Sequence, residues 1–104
     1  MSHPMTEKIY KYSFGTAIAK EKTLLLPVGA KFLSVQMQND TQICFWAIVD
    51  VEAPLAERHF RIYATGELVQ RSEGKLQFSH CLKSQYLGTV QDKSGCVWHV
   101  FEQL

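Results

Sequence analysis

Apolar and polar residues alternate with a period of two along most of this chain, and β-branched and aromatic side chains fill most of the apolar positions. That is the pattern of strands rather than helices. "KIYKYSF" (8–14) sets Tyr10, Tyr12 and Phe14 on one face, against Ile9, Lys11 and Ser13 on the other. "TAIAKEK" (16–22) predicts a short helical turn, followed by a brief strand, "TLLL" (23–26), which Pro27 and Gly29 end.

The clearest local unit is "AKFLSVQMQ", Asn39-Asp40, "TQICFWAIVD". An Asn-Asp pair between alternating runs predicts a two-residue hairpin, because both residues tolerate positive φ. Gln38 would then oppose Thr41, and Met37, Val35 and Leu33 would oppose Gln42, Cys44 and Trp46. The second strand also carries Ile43, Phe45, Ala47 and Val49, so it reads as a central strand covered on both faces. Cys44, Trp46 and Trp98 are expected in the core.

After the connector 50–54, "RHFRIYATG" (58–66) alternates again, with His59, Arg61, Tyr63 and Thr65 on one face and Phe60, Ile62 and Ala64 on the other. Residues 66–85 have the weakest pattern, with a turn at Glu73-Gly74 and one short strand at "KLQFS". The chain closes with "YLGTVQ", the turn "DKSG" and "CVWHVFEQ", where Gly95 suits the left-handed residue of a type I turn with a bulge.

These elements predict an all-β fold, a small antiparallel sandwich or partly open barrel of about seven short strands. The α+β alternative would need helices at 15–22 and 76–84, and both stretches are short. At 104 residues the chain is one domain. Residues 1–7 are expected to lie outside the folded part, and 67–85 to be loop-rich.

Eleven basic and ten acidic residues give a net charge of +1, so no long-range field gathers nucleic acid, and nucleic acid is not favoured as a partner. The longest uncharged runs fall far short of the roughly 18 apolar residues of a spanning helix, so no membrane is expected. Cys44, Cys81 and Cys96 are odd in number and no secretion signal opens the chain, which points to reduced thiols in a cytoplasm.

Chemistry is scarce. His80 and Cys81 are adjacent and Cys96 and His99 are three apart, spacings that point to opposite faces of a strand, and no metal or cofactor is expected. There is no G-x-S-x-G, phosphate-cradling loop or paired-carboxylate motif, so no catalytic residue is assigned and the chain reads as a non-enzyme. The candidate contacts are His59, Arg61, Tyr63 and Thr65, with Arg58 and Arg71 as further cations. An arginine can fork onto a phosphate or carboxylate, a tyrosine can stack, and His and Thr supply donors.

"KIYKYSF", "LPVGAKFLSVQMQND", "CFWAIVDVEAP", "RIYATG" and "YLGTVQDKSGCVWHVFE" together resemble a small, uncharacterised family found in bacteriophages and prophages. The likeness spans the chain apart from 1–7 and 67–85. In that family a glycine often stands where this chain has Asp40. The resemblance implies a phage accessory protein, a class that often binds a host component such as a defence complex or its nucleotide signal. The expected partner is a host protein or a small nucleotide, and a short domain with edge strands is expected to pair through them as a homo-oligomer. A structural component of the phage particle and a nucleic-acid-binding module are the alternatives.

Overall fold

A computed structural model describes residues 6–15, 20–69 and 84–104. These form seven strands: β1 (Glu7–Ser13), β2 (Glu21–Pro27), β3 (Lys31–Gln38), β4 (Gln42–Asp50), β5 (Leu55–Ala64), β6 (Ser84–Gln91) and β7 (Val97–Gln103). They make two antiparallel sheets, β1-β4-β3 and β2-β5-β7-β6, packed as a sandwich that does not close into a barrel. No helix occurs among the described residues. Of the predicted helical turn, Glu21 and Lys22 belong to β2 and 16–19 lie outside the described residues, as do the turn at Glu73-Gly74 and the strand at "KLQFS".

The core lies between the sheets, where alternation sends Phe14, Ile43, Phe45, Ala47 and Val49 from one side and Leu26, Phe60, Ile62 and Val100 from the other. Phe45 is its centre. Tyr12 and Phe32 stack on it at 5.2 and 5.1 Å, Phe14 tilts against it at 5.2 Å, and Phe60 reaches it across the sheets at 5.5 Å. Offset and tilted ring pairs of this kind add to what area burial alone contributes.

The β3–β4 hairpin departs from expectation by one residue. Asn39 and Asp40 do take positive φ (52° and 58°), and Thr41 N donates to Gln38 O, but Gln38 pairs with Gln42 rather than Thr41. Thr41 thus joins the loop. A one-residue slip exchanges faces, so Val35 and Met37 lie beside Phe45 and Ile43, and Leu33 falls in a bulge and is exposed. Cys44 is buried as expected. Trp46 and Ile48 are only half-buried, because no further layer lies on the outer face of the three-stranded sheet among the described residues.

β6 is bulged at Leu87, and next to the bulge the sheets come into contact: a Cβ at Gly88 would sit 2.2 Å from Val35 Cγ1. Only glycine admits this approach. The β6–β7 turn follows the sequence reading, with Gly95 at φ 95°, Gly95 N donating to Asp92 O and Asp92 N to Cys96 O.

Candidate functional site

Antiparallel pairing assembles the candidate residues on the outer face of the four-stranded sheet. β5 sends His59, Arg61 and Tyr63 outward, and its partners in register do the same. One row across the sheet is Glu21, Arg61, Phe101 and Tyr86; the next is Thr23, His59, Gln103 and Ser84; a third is Tyr63, His99 and Thr89. Tyr86 and Thr89 are three apart and would fall on opposite faces of a regular strand. The bulge at Leu87 brings both outward.

The side chains are held by one another. Arg61 donates through Nη2 to Glu21 Oε2 at 2.6 Å and through Nη1 to the Tyr63 hydroxyl at 3.3 Å, and its Nε is enclosed with no hydrogen-bond partner among the described residues. Phe101 is the aromatic hub, meeting Tyr63 edge-on at 5.9 Å and Tyr86 at 5.5 Å. His99 has both ring nitrogens engaged, Nε2 with Thr65 Oγ1 at 2.6 Å and Nδ1 with Thr89 Oγ1 at 3.0 Å, and Thr89 in turn hydrogen bonds with the Tyr86 hydroxyl. A neutral imidazole has one donor and one acceptor, and rotating hydroxyls can satisfy both. His59 Nδ1 lies 2.9 Å from Thr23 Oγ1. The result is a pre-set face: Tyr63 is buried within it, while Tyr86 is 56 % exposed.

Arg58 lies on the other face. It donates to both carboxylate oxygens of Glu102, with Nη2–Oε1 at 2.8 Å, and through Nη1 to Ala30 O at 3.0 Å. Glu102 is buried, and its hydrogen bond is the main cause of an Arg58 pKa above the ordinary value. This arginine ties the turn before β3 to β5 and β7 and is not part of the outer row. Arg71 lies outside the described residues, as do His80 and Cys81.

Sequence reasoning missed Glu21, Tyr86, Thr89 and Phe101 and weighed His99 as a metal ligand. In "CVWHVFEQ" the alternation of Val97, His99, Phe101 and Gln103 carried the same signal as the row on β5, but not which strand it joins.

Beyond Thr65 the sheet ends at an open pocket of about 390 Å³, lined by Lys20, Ile62, Ala64, Thr65, Glu67 and Trp98. Lys20 pairs with Glu67, whose pKa is lowered first by that contact and then by the Ala64 N–H. The Trp98 indole donates to Asp92 Oδ2 at 3.0 Å. No cluster of three or more His, Cys, Asp or Glu suited to a metal occurs among the described residues, and no helix among them is long and apolar enough to cross a membrane.

Fold and face together define an all-β sandwich that presents an aromatic and basic surface on its larger sheet. The chain belongs to the DUF7352 family, a domain of unknown function whose family model matches residues 5–104. No curated protein and no solved structure matches it.

Proposed function

We propose that this is a phage-type accessory protein that acts by binding, without catalysis, and that its outer β2-β5-β7-β6 face holds a protein of the host's defence machinery in the host cytoplasm. One observation carries the binding reading: three neighbouring strands bring Arg61, Tyr63, Phe101 and Tyr86 together on one sheet face. Tyrosine and arginine dominate the energetics of protein interfaces, and a rigid aromatic anchor loses little entropy when it is covered. A row spread across several strands suits a protein partner, whereas small ligands need concave sites that enclose most of their surface. The phage and defence parts of the reading rest on the sequence phrases quoted above.

The test is native mass spectrometry of the protein purified from a phage-infected, defence-active host, with wild type compared against Arg61→Ala and Tyr86→Ala. The expected result is a host protein that accompanies wild type and is lost from both variants. A co-purifying nucleotide would move the site to the pocket beside Thr65. Identical, unaccompanied species for all three would end the binding reading and favour a structural role in the particle. Partner loss that steepens with salt would point to nucleic acid.

A further inference from the structure

β1 is the strand with the least cover. The three-stranded sheet overhangs its partner along β1, so Glu7 to Lys11 are all exposed, and on both faces: Ile9 on the outer face at 62 %, Tyr10 on the inner at 43 %. Among the described residues nothing pairs with its backbone edge either. Phe14 N donates to Ile43 O and Val51 N to Thr6 O, which sets Lys8, Tyr10 and Tyr12 in the hydrogen-bonded pairs with β4. The N–H and C=O groups of Ile9 and Lys11 therefore point away from the sheet.

The other edges are better guarded. β2 ends in Pro27, and its Glu21 is held by Arg61. β3 and β6 lie against each other where Val35 meets Gly88. Prolines, charges and coverage are the usual protections of an edge strand.

We propose that β1 is a dimerisation edge: two copies of this chain pair β1 antiparallel about a two-fold axis at Ile9, joining their three-stranded sheets into one continuous sheet. The sequence "EKIYK" (7–11) is self-complementary in that register and in no neighbouring one. With the axis at Ile9, Glu7 of each copy lies opposite Lys11 of the other on the outer face, and Lys8 opposite Tyr10 on the inner face. An axis at Lys8 or Lys11 sets like charges opposite each other, and an axis at Tyr10 makes no ion pair. Opposite charges across an antiparallel pair stabilise it and like charges destabilise it. The two lysines thus act as guards against other strands and other registers while admitting a second copy of β1.

The two Ile9 side chains meet at the axis. By register they lie next to Ile48, with half-buried Trp46 beyond, so pairing covers apolar surface as well as backbone. Lys11 Nζ donates to Gln38 Oε1 at 2.6 Å in the single chain, and pairing exchanges this amide acceptor for a carboxylate, a stronger one. None of these residues belongs to the outer face of the larger sheet, so the dimer and the partner-binding face stand or fall separately.

Sedimentation velocity over a concentration series tests this on the intact chain, with wild type, Lys11→Glu, Glu7→Lys and an equimolar mixture of the two variants. Wild type is expected to show a concentration-dependent monomer–dimer equilibrium. Each variant alone sets like charges opposite each other twice and is expected to weaken self-association about tenfold or more. The mixture restores both ion pairs and is expected to dimerise like wild type, which a misfolded variant could not do. Amide exchange of wild type alone asks the same without substitution: Ile9 and Lys11 amides should slow as concentration rises. A wild type that stays monomeric, variants that associate as wild type does, a mixture that fails to dimerise, or amides indifferent to concentration would each overturn the proposal.

Discussion

The two faces of the four-stranded sheet each carry an arginine from β5 paired with a glutamate from a neighbouring strand, three residues apart along the chain. On the inner face Arg58 forks onto Glu102 of β7, a carboxylate 5 % exposed. On the outer face Arg61 donates to Glu21 of β2, a carboxylate 67 % exposed. The inner pair is a two-point fork and the outer one a single hydrogen bond, and their surroundings differ as well. A carboxylate taken out of water depends on its partner for nearly all of its solvation, whereas an exposed one can turn to water when the partner leaves. Position on the pleat, set by one odd step in sequence, decides which carboxylate is buried and which is exposed, while the two arginines themselves are 24 % and 20 % exposed.

The largest expected effect comes from breaking the inner pair. Arg58→Met leaves Glu102 buried and uncompensated and should destabilise the fold by about 3–5 kcal/mol. For a domain of this size that is a fall in Tm of more than about 10 °C. Adding Glu102→Met removes the stranded charge, so the double variant should recover most of the loss. Thermal or urea melts of both variants measure this, and a double variant no better than the single one would mean that Arg58 acts through Ala30 rather than through Glu102.

The same contrast of faces can be sharpened on β6, where adjacent residues point to opposite sides. Gly88→Ala drives a methyl into Val35 and should cost about 1–3 kcal/mol, partly recovered by Val35→Ala. Thr89→Ala, one residue on and exposed on the outer face, should change stability by about 0.5 kcal/mol or less. Urea midpoints for the three variants decide the point.

Much of this was legible in the residues, for identifiable reasons. Alternation with period two is a local signal, so the all-β class, the split of residues 59–65 between faces and the role of Gly95 could be read directly. Pairing is not local. Which strand lies beside β5 depends on contacts some forty residues apart in sequence, so Glu21, Phe101 and Tyr86 could not be placed with Arg61, nor Arg58 with Glu102. Bulges were equally silent: the one at Leu87 puts Tyr86 and Thr89 on one face against the rule of alternation, and the extra residue Thr41 in the β3–β4 loop reversed the expected register. In each case one residue's displacement, too small to alter the pattern, changed which face a side chain occupies.

A third carboxylate separates hydrogen bonding from burial. Asp92 in the β6–β7 turn accepts from Ser94 N and Oγ, Cys96 N and Trp98 Nε1, and these donors, Ser94 and Trp98 first, bring its pKa down to about 2. A carboxyl whose pKa is lower folded than unfolded contributes stability that is fully present above the unfolded value of about 4 and is lost as pH falls through about 2. Between those limits the Tm of wild type should fall with acid. Asp92→Asn should lower Tm at neutral pH and flatten that part of the profile. A wild-type profile unchanged by the substitution would show that the turn does not depend on the charge.

A small effect on stability is also expected at Arg61, and it is the one on which the functional reading depends. Its partner Glu21 is largely exposed, and exposed ion pairs contribute roughly 0–1 kcal/mol. Arg61→Ala should therefore change the unfolding free energy by about 1 kcal/mol or less, and a double-mutant cycle with Glu21→Ala should give a coupling no larger. The same substitution should abolish capture of the partner, because it removes the only cation in the row formed with Phe101 and Tyr86. Arg61→Lys keeps the charge without the planar fork and should recover only part of the binding. If Arg61→Ala instead destabilises as strongly as Arg58→Met, Arg61 is a packing residue and the outer face loses the group that made it a binding surface. Low cost to the fold with complete loss of the partner is the combination that marks a side chain kept for what lies outside the molecule.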